Sequence, residues 1–133
     1  MNFKKTILMV FLASGTVIGL TGCVSSKLDF ENDPHLALSK GILSSEFGIG
    51  LVGADRLKAI NAEHTALENG VTGASIIWLG ANAIAGNVVP GQPYHVGSAT
   101  CRTYTHTIAI AGEKRSARGT ACKEKNADWA PLS

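Results

Sequence analysis

The sequence predicts an α+β fold: an N-terminal helix or two packed on an antiparallel β-meander of four to five strands, stapled by one disulfide. Three observations predict it. The apolar spacing changes at Gly70, from a helical period before it to short extended runs after it. Turn signals then recur through the second half, at Gly80–Ala83, Gly91-Gln92-Pro93 and Ala111-Gly112. Cys101 and Cys122 fall where two neighbouring strands bring them face to face. With 133 residues there is material for one domain and too little for two ordinary ones.

The N-terminal end reads as a targeting segment. Met1–Lys5 is short and positive, and Thr6–Leu20 is uncharged and mostly apolar. That run is short against the roughly 20 residues that span a bilayer. Its positive flank and small-residue exit match a signal peptide. Leu20-Thr21-Gly22-Cys23 resembles the bacterial lipobox. The resemblance implies a diacylglyceryl thioether on Cys23 and cleavage before it. The other reading of Cys23 is a structural cysteine behind an ordinary secretory signal. Two acyl chains, at about 0.8 kcal/mol per buried methylene, anchor stably where one is marginal. Val24, where an Asp would retain the chain at the inner membrane, implies outer-membrane sorting by analogy with enterobacteria. The expected layout is a lipoprotein signal peptide over 1–22, a lipidated tether and glycine-containing connector over 23–53, and a domain over 54–133.

Charge narrows the partners. The chain has 12 Lys+Arg against 10 Asp+Glu, and loss of Lys4 and Lys5 with the signal leaves 10 against 10. A neutral mature chain lacks the basic face of a nucleic-acid binder and the charge of a polybasic membrane peptide. The expected partner is the lipid bilayer, through acylated Cys23, with any envelope or host protein partner unidentified.

The elements follow in order. Val24–Asn32 is a polar tether. Asp33-Pro34 is a helix start, an N-cap with proline in the first turn. It predicts a short helix to about Ser45, weakened at Gly41 by about 1 kcal/mol relative to alanine. Phe47–Gly53 reads as a buried connector, the alternative being a membrane-inserting or oligomerising glycine stripe. Ala54–Asn69 is the best helix, with Leu57, Ile60, His64 and Leu67 as its apolar stripe and Gly70 as its C-terminal cap. Ala74–Leu79 and Ile84–Val89 are strands, the second interrupted by Gly86 and stopped by Pro90. Tyr94-His95-Val96 resumes the extended chain, and Asp128-Trp129-Ala130 reads as a last short strand.

Thr100–Ile110 and Glu113–Lys123 read as a hairpin rich in Thr, Tyr and Ile. A two-residue turn at Ala111-Gly112 pairs Ile110 with Glu113 and, counted back along both strands, Cys101 with Cys122. The pair falls at a non-hydrogen-bonded position, with Cα atoms about 4.5 Å apart, at the near edge of the disulfide window of roughly 4.4–6.8 Å. Exported cysteines in even number default to a disulfide. The alternative, a metal pair, lacks CxxC spacing and a zinc signature at His95 and His106. One hairpin face carries Tyr104, His106, Ile108 and Ile110 opposite Gly119, Ala117, Arg115 and Glu113, leaving room for the helix. The other carries Thr103, Thr105 and Thr107.

Several stretches carry a resemblance: Ala66-Leu67-Glu68-Asn69-Gly70, Ile77-Trp78, Gly86-Asn87-Val88-Val89-Pro90-Gly91, Cys101-Arg102-Thr103-Tyr104-Thr105-His106-Thr107, Ala117-Arg118-Gly119-Thr120-Ala121-Cys122 and Trp129. Together they resemble the surface-antigen domain of the rickettsial 17-kDa surface antigen family. The resemblance covers residues 55–131. It implies an outer-membrane lipoprotein described as a surface antigen, with no established catalytic activity to carry over. Many members carry a long glycine zipper before the domain, where this chain has only Gly41, Gly48, Gly50 and Gly53. The usual Asp-Gly before the last tryptophan is Ala127-Asp128.

No Ser-His-Asp order, paired-carboxylate motif or phosphate-binding glycine loop stands out. The expectation is therefore no enzyme, no cofactor and no metal, in a non-catalytic envelope lipoprotein with a structural or adhesive role. The alternative is a binding module, such as a lysozyme inhibitor or secretion-system accessory, with Lys114-Arg115 at the hairpin turn as its candidate contact. Arg102 and Arg118 lie on opposite hairpin faces and form no single anion clamp. Ion pairing to acidic neighbours and packing of their stems is their expected role.

Overall fold

The computed structural model describes residues 34–132; the targeting segment, Cys23, the tether 24–32 and Ser133 lie outside the described residues. The order is α1 (Pro34–Ser39), two single 3₁₀ turns (Ile42–Ser44 and Glu46–Gly48), α2 (Gly53–Asn69), β1 (Ile76–Leu79), β2 (Ile84–Pro90), β3 (Tyr94–Val96), β4 (Ala99–Ile110), β5 (Glu113–Lys123) and β6 (Ala130–Pro131).

α1 ends at Ser39, short of the expected Ser45. Serine hydroxyls explain this locally. Ser39, Ser44 and Ser45 donate to the carbonyls of Leu36, Gly41 and Ile42, three residues back in each case. Such bonds compete with the helical ladder, and the backbone folds into 3₁₀ turns instead. Phe47 and Leu51 are buried, so the connector enters the core.

Among the described residues the sheet has six strands, not four to five, because the segments of β3 and β6 each pair as strands. All pairings are antiparallel and the order is β1-β2-β4-β5-β6, with β3 also on β4. β5 occupies one whole edge of β4, so β2 and β3 divide the other. β1 starts at Ile76 rather than Ala74, β2 runs through Pro90, and β6 begins at Ala130 rather than Asp128. β6 shifts because Trp129 turns into the core.

The hairpin register is as expected, from Ile110 opposite Glu113 to Cys101 opposite Cys122. Ala111 and Gly112 have φ of 49° and 84°, both left-handed, as a type I′ turn demands. The disulfide Cys101–Cys122 is formed, with a Cα separation of 4.0 Å.

α2 crosses one face of the sheet. Its Ala59, Ile60, Ala62, Ala66 and Leu67 meet Trp78, Val88, Tyr104 and Ile108, and Leu38, Leu43, Phe47 and Leu51 join the same core. Each fully buried Leu, Ile or Phe contributes about 1.5–3 kcal/mol of transfer free energy. The stripe on α2 differs from the expected one. Leu57 is 56% exposed and His64 only half-buried, whereas Glu63 is fully buried. The sheet lies under the Ala59–Glu63–Ala66 line, one step round the helix, where the small alanines permit close approach.

Candidate functional site: a buried polar cluster under the central helix

Glu63 enters the core from the middle of α2, Trp78 from β1, and Tyr104 and His106 from β4. The Trp78 indole N–H donates to His106 Nε2 at 2.9 Å. An indole N–H only donates, so Nε2 carries no proton and the imidazole proton sits on Nδ1. From there it is donated to Glu63 Oε1 at 2.8 Å. The Tyr104 hydroxyl donates to Glu63 Oε2 at 3.2 Å. Each carboxylate oxygen thus has its own donor. Phe47 and Trp78 meet the imidazole edge-on, with ring centroids 5.4 and 5.9 Å away.

Two glycines make room for the two aromatic donors. Gly86 lies opposite Trp78 across the β1–β2 pair, and a Cβ there would stand 2.5 Å from the indole. Gly119 lies opposite Tyr104, and a Cβ there would stand 2.6 Å from the phenol ring. Gly86, which interrupts its strand on propensity, is therefore the surface on which Trp78 lies.

Burial pushes the Glu63 carboxyl above its ordinary pKa of 4.5, and the bonds from His106 and Tyr104 offset only part of that. Burial, with the Glu63 charge beside it, also pushes the Tyr104 hydroxyl up.

The C-terminal end of α2 is held by a second set of polar contacts. Arg102, 4% exposed, donates from Nη1 to the carbonyls of Ala66 and Leu67 at 3.1 and 3.0 Å, from Nη2 to Gly70 at 2.9 Å, and from Nε to Gly91 at 3.0 Å. Helix-end carbonyls lack intrahelical partners and carry the negative end of the helix dipole, so the guanidinium answers both. Ion pairing to an acidic neighbour, the expected role, is replaced here by this cap. Gly70 ends the helix as expected, but in an extended conformation (φ −66°) rather than the left-handed one. A Cβ on Gly70 would stand 2.4 Å from the Ala66 carbonyl oxygen, which is why a glycine is needed. Beside it, Glu68 accepts from Lys123 Nζ and Trp129 Nε1, each at 2.7 Å. These bonds hold its carboxyl below the ordinary value.

Of the residues singled out from the sequence, Cys101 and Cys122 are joined, one residue from Arg102 on β4, and Cys23 lies outside the described residues. Arg115 does not protrude from the hairpin: it donates to the carbonyls of Glu46 and Ile49 at 3.1 and 2.7 Å and ties β5 to the connector. Lys114 and Arg118 are exposed. Glu63 and Trp78 had no place among the sequence candidates. The signal that finds Glu63 is a lone carboxylate centred on the alanine-lined face of α2, between Ala59 and Ala66.

The cluster has the carboxylate–histidine pairing of a catalytic relay, but its outer nitrogen is taken by an indole. The hydroxyl in the cluster, that of Tyr104, is bonded to Glu63, and all four side chains are buried. Its chemistry is that of a satisfied polar core. Among the described residues no group of three or more His, Cys, Asp or Glu is placed to hold a metal ion. No helix there is long and apolar enough to cross a membrane. A cleft of about 550 Å³ opens between α1 and β6, lined by Ile42, Pro131 and Leu132 beside Tyr104 and Gly119.

The fold and these contacts define a small disulfide-stapled α+β domain whose hydrophobic core encloses a buried polar cluster. The chain is similar to proteins named 17 kDa surface antigen. That of Rickettsia bellii is 34% identical over 87 residues, 64% of this chain and 55% of the relative. That of Rickettsia conorii is 32% identical over 82 residues, 60% of this chain and 52% of the relative. That of Rickettsia prowazekii is 33% identical over 66 residues, 48% of this chain and 42% of the relative. The chain spans about half the length of the first two of these relatives. No family model matches the chain, and no solved structure is significantly similar to it.

Proposed function

We propose that the chain is a lipoprotein of the surface-antigen type, anchored in the outer membrane through a diacylglyceryl group on Cys23, with a non-catalytic structural or adhesive role in the envelope. One observation carries this reading: Leu20-Thr21-Gly22-Cys23, behind an apolar segment, precedes a disulfide-stapled domain similar to proteins named surface antigens. Oxidised cysteines suit an exported domain. The commitment of His106, Glu63 and Tyr104 to one another in the core supports a role without catalysis.

The test is the intact mass of the native chain together with the fractionation of a Cys23→Ser variant. The reading expects diacylglyceryl mass on residue 23 and an outer-membrane pool that C23S abolishes. An unmodified thiol at Cys23 overturns it. Labelling of intact against permeabilised cells then assigns the face on which the domain stands. The alternative, an inhibitor that inserts a basic loop into a carboxylate cleft, loses Arg115 to the connector carbonyls. A lysozyme assay with the purified chain is expected to show no inhibition.

A further inference from the structure

β1 is the end strand of the order β1-β2-β4-β5-β6, so among the described residues its outer edge has no strand partner. Backbone N–H and C=O groups on such an edge pair with solvent or with another chain. Edges are commonly blunted by proline, charge or a bulge. β6 contains Pro131 and β3 follows Pro93, whereas Ile76-Ile77-Trp78-Leu79 contains neither proline nor charge.

The edge is also flanked. A groove of about 260 Å³ runs between it and α2, lined by Lys58, Asn61, Ala62 and Thr65 on the helix and by Ile76–Leu79 on the strand. The helix side is made of short side chains apart from Lys58, the one ionisable group lining the groove. On the opposite face of β1, Ile77 and Leu79 are 71% and 69% exposed and, two residues apart, point the same way. Asp55 Oδ1 accepts from the Ala81 amide at 3.0 Å, which places the start of α2, and so Lys58, at the Leu79 end of the strand.

We propose that an extended peptide segment of another protein adds to β1 as a further strand in this groove. Its backbone pairs with the free edge. Its outward side chains are apolar and cover Ile77 and Leu79, its inward ones are small against Ala62, and one carboxylate meets Lys58. Charge selects this occupant over a second copy of the chain: β1 contains no acid, so two-fold pairing of β1 with itself brings a second Lys58 without a carboxylate on the strand to answer it.

The probe is the blocked peptide acetyl-Thr-Val-Glu-Val-Ala-Thr-amide, titrated into the full chain in detergent micelles and followed by backbone amide resonances. Antiparallel to β1, its valines fall opposite Leu79 and Ile77 and its glutamate lies on the helix side, level with Trp78. The expected result is saturable shifts confined to Ile76–Leu79 and Lys58–Thr65. Replacing the peptide glutamate by lysine, or Lys58→Glu in the protein, weakens binding roughly two- to fivefold, the range of an exposed ion pair. Combining the two changes recovers it. A peptide N-methylated at the edge-facing positions does not bind. Absence of shifts at millimolar peptide, or shifts elsewhere, overturns the proposal. So does a dimer in sedimentation that the exposed-site variant I77K dissociates, because the occupant is then a second copy.

Discussion

Glu63 and Glu68 stand less than two turns apart on α2, and each accepts hydrogen bonds from two side chains. Their carboxyl groups nevertheless move in opposite directions. Glu63 is fully buried and its pKa rises despite donation from His106 and Tyr104. Glu68 lies at the surface with 37% of its side chain exposed, and donation from Lys123 and Trp129 lowers it. With donor number equal, access to water decides the sign: removing hydration from a carboxylate outweighs two good hydrogen bonds. The middle of α2 is therefore a region where a polar group is tolerated only with a full set of partners. The C-terminal end of α2 is one where polar contacts fix geometry at little cost.

The largest expected effect breaks the inner set. Glu63→Ala leaves the His106 N–H and the Tyr104 hydroxyl without acceptors in the core, and urea unfolding should register a loss of about 3–5 kcal/mol. Glu63→Gln keeps an acceptor toward His106 and turns its amide toward the Tyr104 oxygen, so its loss should stay below about 1.5 kcal/mol. Equal losses in the two variants would mean that volume, not partnering, governs this region.

Next comes Arg102. Arg102→Met removes four hydrogen bonds, although the Ala66 carbonyl keeps the Gly70 amide and the Gly91 carbonyl keeps the Thr72 hydroxyl, and should cost about 2–3 kcal/mol. Arg102→Lys should recover only part of that, because an ammonium lacks the planar fork that reaches four oxygens at once.

Acid titration then sharpens the contrast. The raised Glu63 pKa means that the folded chain is favoured by it most below the ordinary value of 4.5, and that this advantage drains away as pH rises toward the folded-state value. The stability of E63Q relative to the parent should therefore increase with pH above the mid-4s. Glu68 has the opposite sign: its contribution is present above 4.5 and is lost as pH falls through its lowered folded-state value. The gap between E68Q and the parent should close in acid. Thermal unfolding of the three chains between pH 3 and 8 reads both slopes at once. The smallest effect is that of Glu68→Gln at neutral pH, at most about 0.5–1 kcal/mol for so exposed a pair. It should shrink further in 1 M salt as the Lys123 interaction is screened.

Much of this scaffold was legible beforehand. The hairpin register is local arithmetic: once Ala111-Gly112 forms a two-residue turn, every pair down to Cys101 and Cys122 follows. The α2 helix and the buried connector follow from periodicity and from Phe47 and Leu51. The cluster was not legible in the same way. His106 and Tyr104 fall on the inward face by alternation, but nothing near them in sequence points to Glu63 or Trp78. The helix stripe drawn through Leu57 and His64 missed Glu63 because hydrophobicity ranks a leucine above an alanine. The sheet instead selected the alanine side, where backbones come closest.

Local chain chemistry by itself determined the two periodicities, the I′ turn and the pairing of Cys101 with Cys122, since each depends on residues that are neighbours along the chain or across one hairpin. Only the tertiary structure decided which face of α2 is buried, that Arg102 caps a helix rather than pairs with an acid, and that Glu63, Trp78, Tyr104 and His106 form one network. The physical reason is that the free energy of a buried polar group depends on water access and on donors brought from distant strands, and neither quantity exists until the sheet and helix have packed.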